Sequence, residues 1–360
     1  MPTVRNGATW AGSWSPKRAL SYWIRLSGLA ISVGTAALLR DRLAWPRLNW
    51  LIALAALAGL LLVFAADDEY GAPFAVPTLL TWAVYLLALG WALWSAKQAY
   101  ASMRGGSLAL AHLAGLWTLA LASTMQLKDF TDSQQLAQGW EFVALIAPVA
   151  LLSLGLWRRS EMLAWPRNAQ FGSYRIGWFG LAIPLLMFAF SSGLFLEGSA
   201  TPLPYLPLLN PLELALIALA LLVFGVFGEI ASLKPLRRAW PLLAFAFVTM
   251  ATVRAVHHGH GEPWALSMLS SGFSQASLTV VWSLLGVGAW VLGSRRRNRQ
   301  VWMGGAALMG IVLLKLLIVD RSYMGNMPGI VSFMAVGLLL VGVGYIAPSP
   351  PKRQETGDSA

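Results

Sequence analysis

The chain has 360 residues, 57% of them apolar and only 11% charged, with a formal net charge of +11 and no cysteine. A soluble domain carries about a quarter charged residues, so this composition and a mean hydropathy of +0.63 exclude an ordinary water-soluble protein. The lack of thiols excludes disulfides, Cys-bound zinc, iron–sulfur clusters and thiol catalysis.

In chain order, clustered charges separate apolar runs of about 17–25 residues, the length of a bilayer-crossing helix. Eleven spans are predicted, at about 20–39, 49–66, 77–96, 107–127, 138–157, 175–196, 211–232, 240–256, 274–293, 300–319 and 328–347. The expected fold is all-α: a polytopic transmembrane helical bundle forming a single domain over 1–347. The residues before the first span lack the apolar core and cleavage site of a secretory signal. Residues 348–360, polar and Pro-bearing, are expected to be a disordered cytoplasmic tail.

Lysine and arginine fall in alternate loops. Arg40, Arg42 and Arg47 follow the first span, Lys97 and Arg104 the third, Arg158, Arg159 and Arg167 the fifth. Lys234, Arg237 and Arg238 follow the seventh, and Arg295, Arg296, Arg297 and Arg299 the ninth. The intervening loops hold only Lys128 and Arg321. Cytoplasmic loops collect such basic residues, which predicts a cytoplasmic C-terminus in a bacterial inner membrane. It also predicts an outside N-terminus, against which the basic residues Arg5, Lys17 and Arg18 argue. The net charge is therefore mostly a topology signal, and nucleic acid is not an expected partner, whereas membrane lipids are. The tripeptide Ala-Trp-Pro recurs at 44–46, 164–166 and 239–241, each time before a span that leaves the cytoplasm. With the alternation of loops it suggests one leading helix and five helical hairpins. Independent recurrence is the plainer alternative, since Trp favours the interface and Pro the first helical turn.

Two stretches carry a family resemblance. "GSATPLPYLPLLNPLELALIALALL" (Gly198 to Leu222) and "GGAALMGIVLLKLLIVDRSYMGNMPGIVSFMAVGLLLVGVGYI" (Gly304 to Ile346) resemble the bacterial predicted membrane protein family called domain of unknown function 2339. The likeness includes a Lys–five–Asp pattern at Lys315 and Asp320, and an Arg and His-Gly before an outer loop at Arg254 and His258. It is best over about 175–347, so the chain looks like a short or C-terminal version. The resemblance implies an all-helical integral membrane protein, and it brings no activity, substrate or catalytic residue with it.

At about 1.5 Å per residue, Arg254 lies roughly 21 Å and Lys315 roughly 22 Å from the cytoplasmic ends of their spans. Buried charges at such depth face the bundle interior, a partner or a wet cavity, unless the side chain snorkels to the headgroups. Arg254 and His258 are four apart and share a helix face, with His257 beside them. Together with Lys315 and Asp320 they form the expected ligand-binding set, suited to a phosphate or carboxylate; a solvated helix end is the plainer alternative for the histidine-rich stretch. His257, His258 and His260 lack the i,i+4 pair of a helical zinc site, so no metal or cofactor is expected. Asp67, Asp68 and Glu69 form an acidic string, similar to the early outer-loop acids of membrane glycosyltransferases that use polyprenyl-phosphate sugars. Asp67, Asp68 and His258 are thus the weak catalytic candidates. Asn210, Pro211 and Glu213 read as N-cap, first-turn proline and N3 acid, a helix start in which Glu213 serves the cap.

Three functions fit these residues: a binder or carrier of an anionic cell-envelope ligand in an outward-facing polar cavity, a membrane transferase acting on envelope glycan or lipid, and a non-enzymatic scaffold. No phosphate-binding loop or dinucleotide fingerprint points to ATP-driven pumping.

Overall fold

The computed structural model describes residues 16–69, 76–96, 98–158, 171–229, 231–320 and 327–346. They form eleven α-helices: α1 (Pro16–Arg42), α2 (Leu48–Glu69), α3 (Val76–Ser95), α4 (Gln98–Ser133), α5 (Gln138–Arg158), α6 (Phe171–Gly193), α7 (Pro211–Glu229), α8 (Trp240–His260), α9 (Gly272–Arg295), α10 (Arg299–Ile318) and α11 (Met327–Ile346). Two 3-10 segments, Ala231–Ala239 and Leu266–Ser270, flank α8. Among the described residues there is no strand, and nine helices are long and apolar enough to cross a membrane. The all-helical, multi-spanning class expected from the apolar runs is the class observed.

Boundaries differ from expectation where helix-forming residues outlast the apolar run. α4 starts at Gln98, about two turns before the predicted span, and continues through Gly105-Gly106. Glycine there costs about 1 kcal/mol each but does not clash, unlike an interior proline. The helix also runs through Pro148 in α5 and Pro184 in α6. The two described Ala-Trp-Pro copies do not share a conformation. Ala44 has φ +48° in the turn after α1, while Ala239 has φ −76° and leads directly into α8. The recurring tripeptide serves two different helix starts. The copy at 164–166 and the tail 348–360 lie outside the described residues.

The chain divides into two compact units, the first being Met1–Gly193, Ser199–Leu203 and Leu214–Arg237. Within it α1 packs on α3 and α2, α2 packs along α4, and α4 along α5. The α2–α3 pair, adjacent in sequence, packs less than either does with a more distant helix. Tyr22, Leu26 and Val33 of α1 meet Ile52 and Ala56 of α2 and Tyr85 and Leu89 of α3 in one buried cluster. The Tyr85 hydroxyl donates to the Ala55 carbonyl at 3.1 Å. A side chain at Gly59 would put its Cβ 2.2 Å from that hydroxyl, so glycine is required beside the ring.

Arg40, expected as one of several loop charges, is fully buried. Its guanidinium donates to Asp41 (2.9 Å), Asn49 (3.1 Å), the Ala92 carbonyl (3.0 Å) and Ser95 (2.7 Å). Five donors in a rigid fork let one arginine tie the ends of α1, α2 and α3. In the same unit, Trp178 of α6 donates to Ser153 of α5 at 2.9 Å and stacks on Trp117 of α4.

The second unit is Leu194–Gly198, Pro204–Glu213 and Arg238–Ala360. Its most extensive contact is α9 against α10, made possible by small residues that let backbones approach. A Cβ on Gly305 would lie 2.4 Å from the Trp290 nitrogen, and one on Gly293 2.3 Å from that of Trp302. Between these helices Asn298 caps α10, its side chain accepting from Gln300 and Val301. Trp282 of α9 reaches α8 by donating to Thr249 at 3.1 Å.

Candidate functional site

Two polar clusters sit among apolar helices of the second unit. The first is built on Arg254 of α8, whose side chain is fully buried. Its neighbours Val253 and Val256 pack into an apolar cluster with Met268 and Leu278. Arg254 instead faces the Leu194–Gly198 and Pro204–Glu213 segments. Its Nε donates to Glu213 at 2.9 Å, and its Nη1 to the carbonyls of Leu194 (2.9 Å) and Leu196 (3.4 Å). Those carbonyls are free to accept because the chain has left α6 there. Gly198, at φ +76°, brings this segment against the arginine, since a Cβ would lie 3.0 Å from Arg254 Cδ.

Glu213 is as buried as its partner. One carboxylate oxygen accepts from Arg254 and from the Tyr205 hydroxyl at 3.1 Å, the other from the Leu208 backbone N–H. That bond holds Leu208 at φ +66°, a region costly for a side-chain-bearing residue. Asn210 caps α7, its Oδ1 accepting from the Glu213 N–H at 3.0 Å. The expected cap is therefore made by Asn210, but the Glu213 carboxylate is spent on Arg254 and the loop. Tyr205 stacks on His258 with ring centroids 4.0 Å apart. Burial first, then the Glu213 carboxylate, pushes the Tyr205 phenol up, so it stays a neutral donor.

His258 completes the cluster through a 3.0 Å bond between Nε2 and the Glu197 carbonyl. The four-residue spacing thus brings Arg254 and His258 onto one segment. His257 stands edge-on to the His258 ring, centroids 4.6 Å apart, while its Nδ1 bonds the Glu262 carbonyl and its ring also meets Trp264. His260 is exposed against Phe273.

Two donors in this cluster have no acceptor. Arg254 Nη2 and Asn210 Nδ2 are both buried and unpartnered among the described residues, on side chains only 0% and 2% exposed. Other side chains among the described residues, Trp117 and Trp290 included, also carry a buried open donor; such groups are met by a bound water or a ligand.

The second cluster joins α9 and α10. Lys315 donates to Asp320 at 2.6 Å, to the Gln275 carbonyl at 3.0 Å and to the Thr279 hydroxyl. Thr279 donates in turn to the other Asp320 oxygen at 2.6 Å. All three ammonium hydrogens have acceptors. Among the described residues none bonds to both Lys315 and Arg254. The two cations form separate, internally neutralised clusters.

Asp67 and Asp68 belong to the last turn of α2, and their side chains lie outside the described residues. Arg25 of α1 is exposed. Among the described residues no group of three or more His, Asp or Glu side chains gathers as metal ligands would.

The family model described as "Predicted membrane protein (DUF2339)" matches residues 5–350. The chain belongs to this family. The DUF2339 match extends the resemblance from the C-terminal half to nearly the whole chain, so α1 to α5 are as much part of the family as the segment after them. No curated protein and no solved structure matches it. For this DUF2339 protein, the site residues missed by sequence reasoning are Glu213, Tyr205, Asn210 and Thr279. A signal existed for Glu213: an arginine deep in a span needs a carboxylate at matching depth, and an acid in the first turn of α7 is one.

Proposed function

We propose that this is a multi-pass protein of a bacterial inner membrane, with its C-terminus in the cytoplasm. In this reading the Arg254 cluster faces the cell envelope and binds a ligand there. The observation that carries the reading is the pair of buried, unpartnered donors, Arg254 Nη2 and Asn210 Nδ2. Burying an amide donor without an acceptor costs about 1–3 kcal/mol, and a charged one more. Both side chains also bond Glu213, Asn210 through its N–H and Arg254 through its carboxylate, and a ligand's oxygens would give both open donors an acceptor. The ligand therefore presents acceptor oxygens, as a phosphate, carboxylate or hydroxyl of an envelope lipid or glycan does. Because Glu213 already neutralises Arg254 and Asp320 neutralises Lys315, the support lies in open hydrogen bonds and not in excess positive charge.

The test is native mass spectrometry of the protein released from its own membrane, comparing wild type with Arg254→Lys. The lysine keeps the charge but has no second fork nitrogen. A bound species retained by the wild type and lost from the variant is expected. The same bound molecules on both proteins would remove the site.

A further inference from the structure

We infer that the ligand of the Arg254 cluster is a neutral, hydroxyl-rich ring, that is, a sugar unit of an envelope glycan or glycolipid. The inference rests on the proposed binding site and adds its chemical class. Three features of the cluster each point the same way.

The first is charge. Arg254 and Glu213 are paired at 2.9 Å with neither side chain exposed, so the pair is neutral before any ligand arrives. A phosphate or carboxylate would add an uncompensated charge to a buried place, at a desolvation cost that grows with burial. A hydroxyl or ring oxygen adds none. Sites that bind buried anions need a cation to spare, and here the cation is already committed.

The second is the mixture of hydrogen-bonding groups. Arg254 Nη2 and Asn210 Nδ2 can only donate. Glu213 can only accept, and one of its present donors is the Tyr205 hydroxyl on the Pro-rich segment. A sugar carries hydroxyls that both donate and accept, so it can satisfy the two open donors and replace the tyrosine on Glu213. A lipid ester carbonyl accepts only, and it would leave the carboxylate unused.

The third is the ring pair. Tyr205 and His258 are stacked and half-buried beside the same carboxylate. The stack covers the rings' facing sides and His257 stands edge-on to His258, which leaves the outer Tyr205 face, flanked by polar groups, to meet the C–H face of a sugar ring whose edge carries the hydroxyls.

The experiment uses the full chain in lipid nanodiscs, prepared without glycoside detergents. N-acetylglucosamine and methyl β-glucoside are titrated as neutral probes, and inorganic phosphate and acetate as charged ones. Ligand-observed NMR reads binding to the wild type, Tyr205→Phe and Tyr205→Ala. Binding of a neutral sugar is expected, kept by Tyr205→Phe and weakened about tenfold by Tyr205→Ala, the equivalent of losing one stacking face. Phosphate or acetate binding in place of the sugars overturns the sugar class while the site stands. Binding of neither class, with a single ordered water as the only partner of Arg254 Nη2, overturns both the class and the site.

Discussion

Arg254 and Glu213, forty-one residues apart in the chain, meet in a 2.9 Å ion pair from which solvent is excluded on both sides. The pair fastens α8 to the first turn of α7 and to the Pro-rich segment before it. Removing one member leaves the other buried without its partner, which costs about 3–5 kcal/mol. Arg254→Met and Glu213→Gln should each lower the thermal midpoint of the detergent-solubilised protein strongly. The double variant should fall by less than the two shifts added, and additive losses would mean that the pair does not hold in the membrane protein.

Gly198 tests the segment that carries the acceptor carbonyls. Its φ is +76°, and an added Cβ would meet Arg254 Cδ at 3.0 Å and Leu212 Cδ2 at 3.1 Å. Gly198→Ala should destabilise by about 1–3 kcal/mol through the backbone alone. Gly259→Ala, in α8 with nothing within 4 Å of the added carbon, should be neutral or slightly stabilising in the same thermal assay.

Lys315 and Arg254 should behave as independent sites. Lys315 is held by Gln275, Thr279 and Asp320, none of which bonds Arg254 among the described residues. Lys315→Met should destabilise the α9–α10 contact by leaving Asp320 buried with only Thr279. Combined with Arg254→Lys, the losses should add to within about 0.5 kcal/mol. Strong coupling between them, measured by the same midpoints, would place both in one shared site.

The α9–α10 contact depends on glycine at 305. A Cβ there would lie 2.4 Å from the Trp290 nitrogen and 2.7 Å from the Gly286 carbonyl oxygen, both backbone atoms. The helices would have to separate, so Gly305→Leu should cost about 1–3 kcal/mol or more. Gly304→Leu, with open space at its Cβ, is the matched control, and protease resistance in nanodiscs separates the two.

Much of the architecture was legible in the chain because its cause is local. A run of some twenty apolar residues bounded by charge has one way to satisfy its backbone in lipid, and the eleven helices follow. Arg254 and Lys315 were conspicuous for the same reason, as charges inside such runs and about 20 Å from their cytoplasmic ends. Their partners were hidden by other local patterns. Glu213 follows Asn210-Pro211 at the N3 position, and that motif alone accounts for an acid there. Only the packing of α8 against the first turn of α7 brings Arg254 to it. Arg40 looks like every other loop arginine in sequence, yet its burial depends on Ala92 and Ser95, more than fifty residues away. The stack of Tyr205 on His258 has no sequence signature, because it joins a Pro-rich segment to a helix end.

The most direct test is a cryo-EM map of the wild-type protein in nanodiscs formed from its own membrane, at a resolution that shows ordered water. At Arg254 Nη2 and Asn210 Nδ2 the binding account predicts density of a ring-sized molecule within hydrogen-bonding distance of both nitrogens. A map in which those nitrogens bond only to protein groups or to isolated waters would contradict it.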